Sequence, residues 1–118
     1  MLYMLLIYAD EAEWNSYSEA QQAAVMREHA ALDEDLRAAG KYKGCGALEA
    51  TGSATTVRVR GGKTLVSDGP FAETKEQFGG YYLVNARDLD DAMAIAARIP
   101  TARNGSIEVR PLAILNES

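Results

Sequence analysis

Cysteine and histidine each occur once in this chain, at Cys45 and His29. A lone thiol cannot close an intramolecular disulfide, so a core must hold the fold together, and a reducing compartment fits. One thiol and one imidazole also fall short of the Cys/His ligand sets of structural zinc sites. No apolar run approaches the roughly 20 residues that a membrane-crossing helix requires. The opening MLYMLLIYADEAEW is apolar, but it has no basic segment and turns acidic at Asp10, so a strand is expected there and not a signal peptide. Twelve bases stand against 17 acids, and a net charge of −5 argues against a protein that tracks nucleic-acid phosphates. Glycine-rich phosphate loops and the HExxH and GxSxG motifs are lacking, and no cofactor or metal is expected. Linkers, repeats and low-complexity segments are lacking too. The expectation is a cytoplasmic, globular, single domain over residues 1–118, with ordinary proportions of hydrophobic (47%) and charged (25%) residues.

What is present is a regular alternation of elements. LYMLLIY (2–8) is apolar at every position, which predicts a central strand covered on both faces. Ser18 followed by Gln21 has capping-box spacing and opens a helix that should run to about Ala39, with Gly40 as its left-handed stop. YKGCGALE (42–49) reads as a strand. TTVRVR (55–60) alternates strictly, and Gly61-Gly62 should turn it back into KTLVS (63–67) as a hairpin. FGGYYLVN (78–85) is a second strand expected to be apolar on both faces. Asp88 caps a second helix with the stripe Leu89, Ala92, Met93, Ala96, Ile99, ended by Pro100, and SIEVRPL (106–112) is the last strand. With the 55–67 hairpin set aside, the order is β-α-β-β-α-β, the ferredoxin-like α+β arrangement. Two helices can cover only one face of that sheet. A sheet-sized apolar face is rarely left to water, so a homodimer packed sheet to sheet is expected.

His29 is the most informative single residue. Val25, His29, Leu32 and Leu36 follow a 4-3-4 spacing that puts the imidazole on the inward stripe of the first helix. Two readings stand for it: a core histidine bonded to a backbone carbonyl, or a general acid/base at the floor of a cleft. DGPFAETKE (68–76) fills a gap that an ordinary hairpin would cross in two to five residues. Asp68-Gly69-Pro70 is turn chemistry, and Phe71 is expected to anchor the segment to the body. Its charges, Asp68, Glu73 and Lys75 among them, form either a solvated cluster or the wall of a pocket. Asp68 or Glu73 would then orient His29. Arg58 on the hairpin and Arg110 on the last strand are candidates to hold an anionic group, with solvated edge charges as the alternative. Cys45, between two glycines, reads as a small residue in a tightly packed strand.

The residues DGPFAETKEQFGGYYLVNARDLDDA, together with YMLLIYADEAEW, LRAAG, TTVRVRGGKTLVSDGPF and SIEVRPL, closely resemble the DGPF proteins, also called the YCII-related family. The resemblance spans nearly the whole chain. It implies a ferredoxin-like fold that pairs into a dimeric α+β barrel. It also implies a bacterial protein of a largely uncharacterised group, often associated with sigma factors of the extracytoplasmic-function type. Relatives carry a first-helix histidine paired with an aspartate at an Asp-Pro step. REHAALDEDL matches the histidine segment and assigns that role to His29, whereas the Asp-Pro step reads Ile99-Pro100 here. Two functions follow as expectations: a small cleft enzyme moving a proton on a small metabolite with His29, or a non-catalytic dimeric module that binds a ligand or a protein such as a sigma factor.

Overall fold

The computed structural model of the chain describes residues 1–113. Its main sheet has four strands in the order β2-β5-β1-β6, formed by Tyr42–Ala47 (β2), Gln77–Asn85 (β5), Leu2–Ala9 (β1) and Ser106–Pro111 (β6), with every neighbouring pair antiparallel. The two strands whose sequences are apolar on both faces, β1 and β5, occupy the centre. This is the ferredoxin-like α+β topology, with the crossovers made by α2 (Glu19–Ala38) and α3 (Leu89–Ala97).

Local chemistry sets the ends of these elements. Ser18 and Gln21 form the reciprocal capping box, with the Gln21 N–H 3.1 Å from Ser18 Oγ and the Ser18 N–H 2.8 Å from Gln21 Oε1. Gly40, at φ 71°, stops the helix. A short helix precedes it that the sequence reading did not separate: α1 (Glu11–Ser16), started by the Asp10 carboxylate accepting the Ala12 N–H at 2.9 Å. The acidity that ends the first apolar run is therefore a helix cap.

Both α2 and α3 bury their apolar stripes on one face of the sheet. Tyr3, Leu5, Tyr82 and Val84 from the strands meet Leu32 and Leu36 of α2 and Ala92, Ile95 and Ala96 of α3, with Ile99 just beyond. The expected α3 stripe is rotated. Leu89 and Met93 are about half exposed while Ile95 is buried, because the helix turns its 92-95-96 side inward. Likewise β2 ends at Ala47, two residues before the expected Glu49, and a 3-10 turn follows at Thr51–Ser53.

Among the described residues, no helix covers the opposite face of the sheet. Register places Met4, Leu6 and Tyr8 beside Leu83, Tyr81 and Phe78, with Arg110 and Glu108 at the β6 edge. Tyr81 lies directly over Gly46, where a Cβ would stand 2.7 Å from its ring. Residues 55–68 form a separate two-stranded ribbon, β3 (Thr55–Arg60) and β4 (Lys63–Asp68), turned by Gly61 and Gly62 at φ 57° and 76°. Val57, Val59 and Val66 on it are each about 60% exposed.

The segment after the ribbon is held differently from expectation. Phe71 is 79% exposed, so it does not anchor the segment within this chain. Backbone and hydroxyl groups do: the Gly69 N–H donates to Ala54 O at 2.7 Å and Thr56 Oγ1 to Gly69 O at 2.8 Å. No helix of the described residues is long and apolar enough to cross a membrane.

Candidate functional site

The stripe Val25, His29, Leu32, Leu36 is buried at its C-terminal end and half open at its N-terminal end. There a cleft of about 720 Å³ lies between α2, α1, the end of β1 and the facing parts of β2 and β5. Ile7, Trp14, Val25, Met26 and Leu48 make its walls largely apolar. Trp14 and Tyr17 meet edge to face, with centroids 5.8 Å apart.

On the floor, His29 Nδ1 lies 2.9 Å from the hydroxyl of Tyr82, and the two ring planes are within 12° of parallel. Tyr82 is only 3% exposed, because β5 is central and presents its even-numbered side chains to the helices. Asp33 stands one helical turn beyond His29 and so shares its face. Its Oδ1 is enclosed and has no hydrogen-bond partner among the described residues. Cys45 lies opposite Tyr82 in the ladder, exposed on the cleft wall, and Tyr42 donates a hydrogen bond to its Sγ at 3.2 Å. It is a surface thiol and not the packing residue its glycine neighbours implied.

Burial pushes His29 below its ordinary pKa, and the Asp33 and Glu28 carboxylates only partly offset it. The imidazole is therefore neutral near pH 7. Burial first, and then the adjacent Asp33 carboxylate, push the Tyr82 phenol well above its usual value, so it keeps its proton. Arg103 also lines the cleft, but both its terminal nitrogens are held by Glu28, at 2.7 and 3.1 Å. The cleft thus offers a neutral imidazole, a protonated phenol and a carboxylate in apolar surroundings.

Of the residues named from the sequence as acid, base or ligand-holding groups, His29 alone lines this cleft, with Cys45 exposed on its wall. Asp68 is exposed at the end of β4, and it neither lines the cleft nor bonds to His29. Glu73 and Lys75 are exposed in the following loop, Arg58 on the ribbon and Arg110 at the sheet edge. Phe71 instead borders a second hollow with Tyr8 and Phe78, between the ribbon base and the uncovered face of the sheet. Ile99, at the step where the family resemblance implied an aspartate, is fully buried in the core. Sequence reasoning missed Asp33 and Tyr82. Asp33 had a signal, its i+4 spacing from His29; Tyr82 had none, because it lies 53 residues away and meets the imidazole only through the fold.

The family model described as the YCII-related domain matches residues 1–115. An uncharacterised protein of Rhizobium meliloti (strain 1021) is 42% identical over 116 residues, which cover 97% of this chain and 94% of that relative.

Proposed function

The chain belongs to the YCII-related domain family, and we propose that it is a small cleft enzyme in which His29 moves a proton on a small, largely apolar metabolite. The observation that carries this reading is an imidazole that lines an open cleft and is held by a buried phenol, with burial lowering its pKa. A core histidine would be enclosed and bonded to backbone, whereas His29 is half-buried and bonds a side chain. Asp33 takes the orienting role first expected of Asp68 or Glu73. With Arg103 occupied by Glu28 and with Arg58 and Arg110 away from the cleft, a ligand that arrives neutral and carries an acidic O–H, N–H or activated C–H suits the site better than a preformed anion.

The uncovered sheet face supports pairing of two copies into a dimeric α+β barrel. A second reading, a docking module for a partner protein such as a sigma factor, draws on one observation: the exposed valines of the ribbon together with Phe71. Deuterium exchange into weakly acidic phenols and carbonyl compounds, followed by NMR, tests the first reading. His29→Gln is expected to lower the rate on a substrate found in that screen by about 100-fold or more, the usual share of general acid–base catalysis. Full activity in that variant, or a stoichiometric protein partner that occludes the cleft on co-purification, would favour the second.

A further inference from the structure

We infer that His29, Tyr82 and Asp33 form a directed hydrogen-bond relay that fixes the imidazole as its Nδ1–H tautomer and leaves Nε2 as the free base toward the cleft. This deepens the proton-transfer reading of the cleft and rests on it for its chemical use, but not for its test.

The direction follows from counting hydrogens. A neutral imidazole has one N–H and a phenol one O–H. Three groups lie close together: His29 Nδ1, the Tyr82 hydroxyl 2.9 Å away, and the Asp33 carboxylate, which acts on the phenol and whose enclosed Oδ1 has no hydrogen-bond partner among the described residues. If the phenol gave its hydrogen to Nδ1, the enclosed carboxylate oxygen would have no donor. If Nδ1–H instead donates to the phenol oxygen, the phenol hydrogen is free to turn to Asp33, the one arrangement of the three that offers its enclosed Oδ1 a donor. Buried polar groups are rarely left unpaired, so the second arrangement is favoured.

Neighbouring groups do not supply the missing donor. Glu28 holds Arg103, Arg37 stacks on the Tyr42 ring, and the Tyr42 hydroxyl donates to Cys45. Tyr82 is then a positioning residue, and Asp33 acts through it.

The relay also accounts for proton balance. The ligand X–H bond breaks as Nε2–H forms, giving an imidazolium and X⁻. The imidazolium keeps Nδ1–H donated to the phenol, which remains protonated and donates to the carboxylate, so the positive charge is stabilised without a proton leaving the three groups. Return of the Nε2 proton to a different atom of the ligand, or to the same atom, restores the neutral base. Tyr82 and Asp33 thereby do for a histidine what a single buried carboxylate does in a hydrolase triad, with a phenol interposed.

One histidine in the chain makes the experiment direct. In full-length protein labelled with ¹⁵N-histidine, long-range ¹H–¹⁵N correlation above neutral pH reads the tautomer of a single imidazole. Wild type is expected to show a protonated Nδ1 and a bare Nε2. Asp33→Leu leaves the phenol hydrogen no carboxylate to donate to, so it turns to Nδ1 and the imidazole proton moves to Nε2. Tyr82→Phe removes the partner of Nδ1 and is also expected to favour Nε2–H. Asp33→Leu, close in size to the native side chain, keeps the test sharp if the phenylalanine variant folds poorly. An Nε2–H tautomer in wild type overturns the relay, and so does an Nδ1–H tautomer that survives Asp33→Leu. Neither result bears on whether His29→Gln loses activity, so the relay and the function fail separately.

Discussion

His29 loses water on folding, and that loss outweighs the attraction of Asp33 and Glu28 for an imidazolium. Its pKa is depressed in the folded state, which ties stability to pH. As pH falls below the ordinary histidine value of 6.5, the unfolded chain takes up a proton that the folded chain still refuses. Stability should therefore fall as pH drops through that value toward the lower folded pKa, and then level off for this group. The titratable or charged groups around the imidazole are Tyr82 on β5, Asp33 and Glu28 on α2, and Arg103 bound to Glu28. Urea midpoints measured between pH 7.5 and 5 are expected to decline in wild type and to decline less in His29→Gln; equal slopes would count against a depressed pKa. Part of this site was legible in residue spacing. The 4-3-4 stripe placed His29 inward, and i+4 spacing held Asp33 on the same face, but nothing local linked either to Tyr82.

Helix boundaries follow local rules more faithfully than helix faces do. The Ser18 hydroxyl answers one of the free N–H groups at the start of α2, and the Asp88 carboxylate does the same for α3 by accepting the Asp91 N–H at 2.8 Å. Removing the first by Ser18→Ala is expected to cost about 1 kcal/mol, read as a lower urea midpoint with an unchanged slope. No change would mean that water replaces the cap. The α3 stripe shows the limit of such rules. Leu89, Ala92, Met93, Ala96 and Ile99 fit an ideal pattern, yet two of them face outward and Ile95 faces in. Alanines at 92 and 96 let the helix lie close to the sheet, and a buried Asp91 held by Lys41 at 2.9 and 3.1 Å fixes its rotation. A buried carboxylate must be paired, so that ion pair outweighs an exposed leucine and methionine.

For the whole molecule, the decisive asymmetry is a sheet with helices on one face and half-buried apolar and aromatic residues on the other. A two-stranded ribbon with outward valines adds to it, since such a ribbon is only marginally stable alone in water. The dimer proposed above would cover the open sheet face. Light scattering at micromolar concentration is expected to give twice the monomer mass. Leu83→Arg, on that face beside Met4, is expected to give a monomer with an unchanged circular dichroism spectrum. A monomeric wild type would end the dimer proposal.

The sequence by itself determined the ferredoxin-like order, the two central strands, the α2 cap and the tight glycine turn. Each of these rests on neighbours a few residues apart or on a two- or 3.6-residue period. Tertiary structure decided which face α3 buries, that Phe71 is exposed, and that the residues of DGPFAETKE stand outside the His29 cleft. It also decided the site itself, because a phenol on a central strand meets an imidazole 53 residues away only when the sheet and α2 have closed on each other. Local spacing can point a side chain inward; what it meets there depends on long-range packing of elements.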